Sequence, residues 1–315
     1  MILNPSRYRG EQDLPALQDL LRTGLMSDPT ATYVHPGDIE WWLYYNPSYL
    51  PPEEAVTLWH TESGNLATWL LLDVRDRVID LFVHPRYRTA AIFDYILNWV
   101  NTECLKHPSE EAKITCEWCT REDDLYKAAL ERAGYTSTPF LVLFGQALTD
   151  PRPVSALPEG FRFLEGMEER YIDSRANAHY SAFTRSKPSK MTPDLYRRFM
   201  TAPGYDPTLD ICIVNAQDEV VAFAMAWADA TTQQAEFEPV GTHKDYQRRG
   251  LGRAALEEGL RRLQARGITT ARVATWIDDA GNVAFYPSAG FEIVGHCDHH
   301  HKAMADFGSI KNEDS

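Results

Sequence analysis

The chain repeats itself, and this restricts its fold more than any other feature. Tyr87 and Tyr246 stand 159 positions apart, as do His84 and His243. At that register Leu81-Phe-Val-His-Pro-Arg-Tyr-Arg-Thr-Ala-Ala91 lies over Val240-Gly-Thr-His-Lys-Asp-Tyr-Gln-Arg-Arg-Gly250. Later, Ala133-Gly134-Tyr135 lies over Ala289-Gly290-Phe291 at an offset of 156, a difference that one small loop change absorbs. Separated landmarks recurring in the same order indicate an internal duplication.

Each copy shows the same succession of elements. A polar-apolar helical stretch comes first, around 13–23 and again around 168–183. Strands follow at 66–73 and 78–83 in the first half, and at 211–215, 220–229 and 234–240 in the second. Then come an amphipathic helix, a strand, a second helix ending in Gly-aromatic, and a final strand. This order predicts the α/β class with a sheet of mixed direction. Between the copies, Asp150-Pro-Arg-Pro-Val-Ser-Ala-Leu-Pro158 carries three prolines that continue neither a helix nor an inner strand. The expected organisation is a first domain over 1–149, a linker over 150–158, a second domain over 159–302 and a frayed tail over 303–315. At about 150 residues per domain, 315 residues suffice for two cores.

The net charge of -14 argues against nucleic acid and anionic membrane as partners, since both call for clustered Lys and Arg. It is compatible with a cationic substrate such as an amine. No run of about 18 apolar residues is present, so no membrane span is expected. The opening MILNPSRYRG has no apolar segment of the secretory kind, and five cysteines form no disulfide framework. Reduced thiols and a cytoplasmic location are expected, with a monomer or homodimer as the assembly.

The strongest chemical signal is Gln247-Arg-Arg-Gly-Leu-Gly-Arg-Ala254. A strand runs into it and a helix leaves it, with Leu256, Leu260 and Leu263 at helical spacing. A helix N-terminus offers unpaired N–H groups and the positive end of a dipole, which suits a pyrophosphate. Gly250 and Gly252 let the backbone approach the anion, and Arg248, Arg249 and Arg253 add charge. The spacing is not that of a P-loop, nor that of a dinucleotide fingerprint with its three glycines. The bland reading is a basic helix start with two turn glycines.

The stretch from Val240 to Gly252 resembles motif A of the GNAT N-acetyltransferase superfamily, and Asn282-Val-Ala-Phe-Tyr-Pro-Ser-Ala-Gly-Phe291 resembles its motif B. The resemblance covers nearly all of 160–300, and the duplicated layout is similar to that of tandem-domain members such as mycothiol synthase. It implies two tandem domains, each a mixed, mostly antiparallel central sheet with splayed parallel strands flanked by helices. It implies acetyl-CoA as co-substrate and no metal. The pyrophosphate would lie on Arg248, Arg249, Gly250, Leu251, Gly252 and Arg253, next to Gln247. The pantetheine arm would pair with Val240 and Thr242, and Asn282 would contact CoA or its loop. The amine would attack the thioester directly. Glu238, with Glu236 two residues away as second candidate, would act as base, and Tyr286 would return a proton to the thiolate. The implied activity is acetyl transfer to a primary amine of a small molecule. Two other readings stand beside it: an aminoglycoside or amino-sugar thiol precursor as acceptor, and a non-catalytic acyl-CoA-binding regulator.

The first copy serves as an internal control. At the register of 159, Ala91 and Phe93 replace Gly250 and Gly252, Thr89 and Ala90 replace Arg248 and Arg249, and Ile79 replaces Glu238. Leu130 replaces Tyr286 at the offset of 156. The phenylalanine ring is expected where a pyrophosphate would approach, so 1–149 is read as non-catalytic. His84 persists where the other groups are lost, which marks His243 as structural. Three further clusters are set aside. Cys116 and Cys119, on one strand at a spacing of three, are expected on opposite faces. His296, Asp298 and His300 would share a face, but no functional metal is expected. The 184–190 loop is read as solvated and bordering the cleft, and Trp41, Trp42, Tyr44 and Tyr45 as core or domain interface.

Overall fold

The computed structural model describes residues 3–28, 34–45, 51–74, 76–107, 109–149, 153–184 and 188–304. The first half runs through β1 (Leu3–Arg7), α1 (Leu14–Ser27), α2 (Pro36–Tyr45), α3 (Pro52–Ala55), β2 (Val56–Thr61) and β3 (Leu66–Asp73). It continues with β4 (Val78–Val83), α4 (Ala90–Lys106), β5 (Lys113–Thr120), α5 (Asp124–Arg132) and β6 (Thr136–Ala147). The second half comprises β7 (Arg162–Phe163), α6 (Ile172–Phe183), α7 (Pro193–Phe199), β8 (Asp210–Val214), β9 (Val220–Asp229) and β10 (Gln234–Thr242). It ends with α8 (Leu251–Gln264), β11 (Thr270–Trp276), α9 (Ala280–Ser288) and β12 (Glu292–Ala303). Most of the 303–315 tail, and residues 185–187 of the cleft loop, lie outside the described residues.

The strands of the described residues form one sheet in the order β1-β2-β3-β4-β5-β12-β6-β11-β10-β9-β8-β7. Only β4–β5 and β10–β11 are parallel pairs; the other ladders are antiparallel. This is the mixed, mostly antiparallel sheet expected. The final strands, however, are exchanged between the halves. β6 pairs along β11 from Thr270↔Ala147 to Trp276↔Leu141, and β12 lies between β5 and β6. Val142 and Phe144 of β6 accordingly pack in one core with Leu256, Leu260 and Leu263 of α8. Alternation along a strand specifies its buried face and not its neighbour, so the exchange leaves no local trace in sequence.

The parallel pair β10–β11 holds together only from Gln234↔Thr270 to Glu236↔Arg272, and the strands then diverge into a wedge. Against β9, β10 carries an extra residue between Phe237 and Val240. That bulge corrects one equivalence. In the first half Val83 opposes Thr68 and Ile79 opposes Leu72. In the second, Thr242 opposes Ala222 and Phe237 opposes Ala226. Ile79 therefore matches Phe237, and the residue matching the Glu238-Pro239 bulge is Asp80. An ungapped register passes over a bulge and misassigns everything before it.

A second bulge overturns the expectation for the cysteines. Asp298 opposes Cys119 and His300 opposes Cys116, so three steps on β5 match two on β12. Cys116 and Cys119 consequently share the core of the first half, while Glu117 and Trp118 between them face the cleft between the halves. Register shifts on β12 also disperse the histidine run. Asp298 pairs with Arg121, and His301 bonds Thr115 and Thr138.

Helix α2 ties the halves together. His35, just before it, accepts from Gly37 N on Nδ1 at 3.0 Å, which leaves Nε2 to donate to the Gln234 carbonyl of β10 at 3.3 Å. Burial pushes this imidazole down to about 4 and keeps it neutral. Trp41 stacks on Tyr45 at 4.2 Å and meets Phe199 of α7 edge-on at 4.9 Å, so these aromatics are interface, as expected. Gly37 lies so close to β9 that a Cβ there would stand 2.2 Å from the Trp227 Cβ. Gly37→Ala is expected to destabilise the fold by roughly 1–3 kcal/mol through overpacking, read from the urea midpoint at unchanged slope.

Candidate active site

β10 leads straight into the anion-binding turn. After Thr242, His243 Nδ1 accepts from Asp245 N at 3.3 Å, and Tyr246 N donates to the His243 carbonyl at 2.8 Å. His84 makes the same two bonds, from Arg86 N at 3.1 Å and Tyr87 N at 2.8 Å. Both histidines thus cap a turn, which is the structural role expected of His243. Arg248 and Gly250 then take positive φ values of 61° and 78°, and α8 begins at Leu251 with no side-chain cap. Its first-turn N–H groups are left for an incoming anion.

These groups line a groove of about 770 Å³, with Thr242, Gln247, Arg248, Gly252 and Arg253 at one end and Asn282 and Tyr286 at the other. Gln247 donates to the Thr242 carbonyl at 3.3 Å, and Arg253 is paired with Glu257 at 2.8 Å. The Arg249 guanidinium turns away, to the Asp245 carbonyl and over the Tyr246 ring. The α9 cap is Asp279, which accepts from Asn282 N at 3.0 Å, so Asn282 keeps its amide side chain for the groove.

In the first half the matching turn is closed by its own side chains. The Thr89 hydroxyl accepts from Ile92 N and caps α4, and Arg88 is paired with Asp123. The Phe93 ring does not block the turn as expected; it points into the core and stacks on Tyr126 at 4.8 Å. The cavity beside Leu81, Phe82 and Val83 holds only about 20 Å³.

The wedge between β10 and β11 opens into a second cavity of about 420 Å³, lined by Glu236, Glu238 and Arg272 from the second half and Asp38, Trp41 and Trp118 from the first. Glu236 and Glu238 both face it, as their spacing suggested. The Glu238 carbonyl accepts from Trp227 Nε1 at 2.9 Å, which fixes the bulge. Asp38 is the residue that sequence reasoning missed. It is buried, accepts from His35 N at 2.7 Å and stands close enough to the Glu238 carboxyl for the two to share a proton. Burial pushes Asp38 up to about 6, against the pull of Arg272. Burial and repulsion from Asp38 hold Glu236 and Glu238 well above the usual carboxylate range. Tyr286, buried against Phe144, is raised by burial and then by Glu236, so its phenol stays protonated. Val240, Asn282, Tyr286, Phe183 and Trp276 line both cavities, which therefore meet at these residues.

A splayed parallel pair with an uncapped glycine turn at its mouth is the arrangement that the GNAT resemblance implies, and residues 173–291 match the model of the Acetyltransferase (GNAT) family. The C-terminal half carries a GNAT acetyltransferase domain. It is 26% identical to a mycothiol acetyltransferase of Saccharomonospora viridis over 249 residues, 74% of this chain and 78% of that protein. A ribosomal protein bS18-alanine N-acetyltransferase of Salmonella typhimurium is 33% identical over 78 residues, 25% of this chain and 51% of that one. A tandem GNAT protein from the clavulanic acid biosynthesis pathway superposes with a TM-score of 0.69 at 14% identity, covering 96% of this chain and 99% of that one. A GCN5-related N-acetyltransferase from Sphaerobacter thermophilus gives 0.66 at 19% identity, with 96% of each chain covered. The fold is thus that of two tandem GNAT-like domains. No helix among the described residues is long and apolar enough to cross a membrane.

Proposed function

We propose that the C-terminal half moves an acetyl group from acetyl-CoA to a primary amine of a small molecule, and that residues 1–149 take no catalytic part. The observation that carries this reading is the junction of the two cavities. A groove headed by free helix N–H groups runs into a carboxylate-lined chamber, and Tyr286 stands where they join. The groove fits a pyrophosphate because glycines at 250 and 252 leave the backbone open and no side chain caps α8. Arg248 and Arg253 add charge beside the amides of residues 248–253, Gln247 braces the turn, Arg249 braces Tyr246, and the exposed edge at Val240 and Thr242 suits an extended arm. Acetyl-CoA supplies the activated thioester.

The amine arrives protonated, so it must lose a proton to the Glu238 carboxylate, directly or through water, before attack. The nitrogen–carbon bond forms as the carbon–sulfur bond breaks, the thiolate takes the Tyr286 proton, and the second proton of the acylated nitrogen passes through water to the tyrosinate, which restores the phenol. A thiol has an ordinary pKa of about 8.5, so the leaving group needs only modest help. Tyr286→Phe is therefore expected to lower kcat by roughly tenfold, with the acetyl-CoA dissociation constant unchanged.

The test of the function is acetyl-CoA-dependent thiol release by the purified chain across a panel of small primary amines, with the acetylated product identified by mass. No release with any amine, together with no binding of acetyl-CoA, sinks the reading. The likeness to mycothiol acetyltransferases supports a second, alternative reading, in which the acceptor is an amino-sugar thiol precursor.

A further inference from the structure

We propose that the acceptor chamber continues into the first half as a second cation-binding subsite, built on Asp80 and Glu117, and that the acceptor is therefore a diamine or larger polycation. The inference rests on the reading of the second half as an amine acetyltransferase.

A cavity of about 330 Å³ lies in the first half and shares Trp41, Trp42, Tyr45, Glu117 and Trp118 with the acid chamber, so the two adjoin across these side chains. Asp80 lines its far end. The residue is 5% exposed, and its Oδ1 has no hydrogen-bond partner among the described residues. A buried carboxylate oxygen without a partner is rare, and a ligand that completes it is one of the few reasons for it to persist. Asp80 also holds the position on β4 that Glu238 holds on β10, as the strand pairings show. The first copy has thus lost its anion turn and its tyrosine, yet kept an acid at the place of the base. With no acetyl donor site beside it, that acid has only binding left to do.

Among the described residues that line this space, acids outnumber bases. Glu117 lies 3.8 Å from His299 Nε2, but burial pushes that imidazole down to about 4, so it is neutral. Asp73 and Lys190 line the same cavity, which makes three acids to one base. Burial and repulsion from Glu117 and Asp38 hold Asp80 well above the carboxylate range, and burial pushes Glu117 up to about 7. A cation between them relieves the repulsion and offsets the desolvation. Trp42 and Trp118, with ring centroids 5.9 Å apart, line both cavities and supply aromatic walls. Asp38 acts electrostatically on Glu236 and Glu238 at one end and on Asp80 at the other. Acids therefore extend from the reacting end to the remote one, with aromatic walls between them.

The test is a calorimetric titration of the full chain, saturated with CoA at about pH 8, with hexamethylenediamine and with hexylamine. The diamine is expected to bind at least about tenfold more tightly, as two charge-assisted contacts would give. Asp80→Asn and Glu117→Gln should each cut that advantage to within about threefold, and Asp80→Asn, which lies outside the acid chamber, should leave hexylamine affinity unchanged. Equal affinity for the two amines, or a diamine preference that survives both substitutions, overturns the proposal. Thiol release measured alongside separates the two readings. A diamine preference without turnover leaves the subsite standing and removes the transferase chemistry; turnover without preference does the reverse.

Discussion

Replacing Gly252 with a bulky side chain, Gly252→Trp, is expected to abolish acetyl-CoA binding. A titration of the native chain should show about one site, and the variant none. Position 252 is the second residue of α8, where the backbone faces the groove. Even a Cβ there would stand 2.9 Å from the Thr242 hydroxyl, and an indole would fill the space the pyrophosphate needs. Hydrogen bonds from amides to a charged group contribute about 1.5–3 kcal/mol each, so losing two costs roughly a hundredfold or more in affinity. The first half gives the matching negative. Its turn is closed by Thr89 and Arg88, not by Phe93, so Phe93→Gly should open no second site. Two sites on the native chain would show that the first half still binds CoA, and would overturn the assignment of one working domain.

What could be read from the sequence was whatever is local along the chain. The Gln247–Ala254 turn, the helix with Tyr286 and the shared role of His84 and His243 are each encoded within a dozen residues, and all adopt the expected local geometry. The rest depends on pairings that no short stretch specifies. Asp38 and Glu238 are 200 positions apart and meet because α2 packs on β9 and β10 through Gly37 and His35. Exchange of β6 and β12 follows from which edges meet, and periodicity does not encode that. The two bulges account for two of the wrong inferences, and the third, Phe93, turned on which face of α4 its ring takes. One extra residue in β10 hid the match of Asp80 to the base position, and one in β5 turned Cys119 back to the face of Cys116. Bulges re-aim side chains near sites, and here both re-aim acids, Glu238 and Glu117, into the same chamber.

The largest kinetic effect is expected at the shared carboxyl pair. Glu238→Gln should lower kcat/KM for amine acetylation by about 10²–10⁴ while leaving acetyl-CoA affinity intact, because Glu238 lines the acid chamber and not the groove. Wild-type kcat/KM in that variant would transfer the role to Glu236. Asp38→Asn tests the pairing through pH. A base works ionised, so kcat/KM falls as pH drops through the titration of the pair. Burial raises Glu238 first, and the charge and hydrogen bond of Asp38 raise it further. Removing that acid lets Glu238 lose its proton at lower pH, so the acidic limb should move to lower pH. Stability should respond with the sign that linkage dictates. Asp38 titrates near 3.8 when unfolded and near about 6 when folded, so the native state binds the extra proton between those values. Its contribution to stability is full below the lower value and lost as pH rises through the upper. Asp38→Asn should therefore gain stability relative to the native chain as pH passes about 6, and lose that gain towards about pH 4. An acidic limb that stays in place would mean the two carboxyls do not share a proton, and that Asp38 serves only to hold α2 against β10.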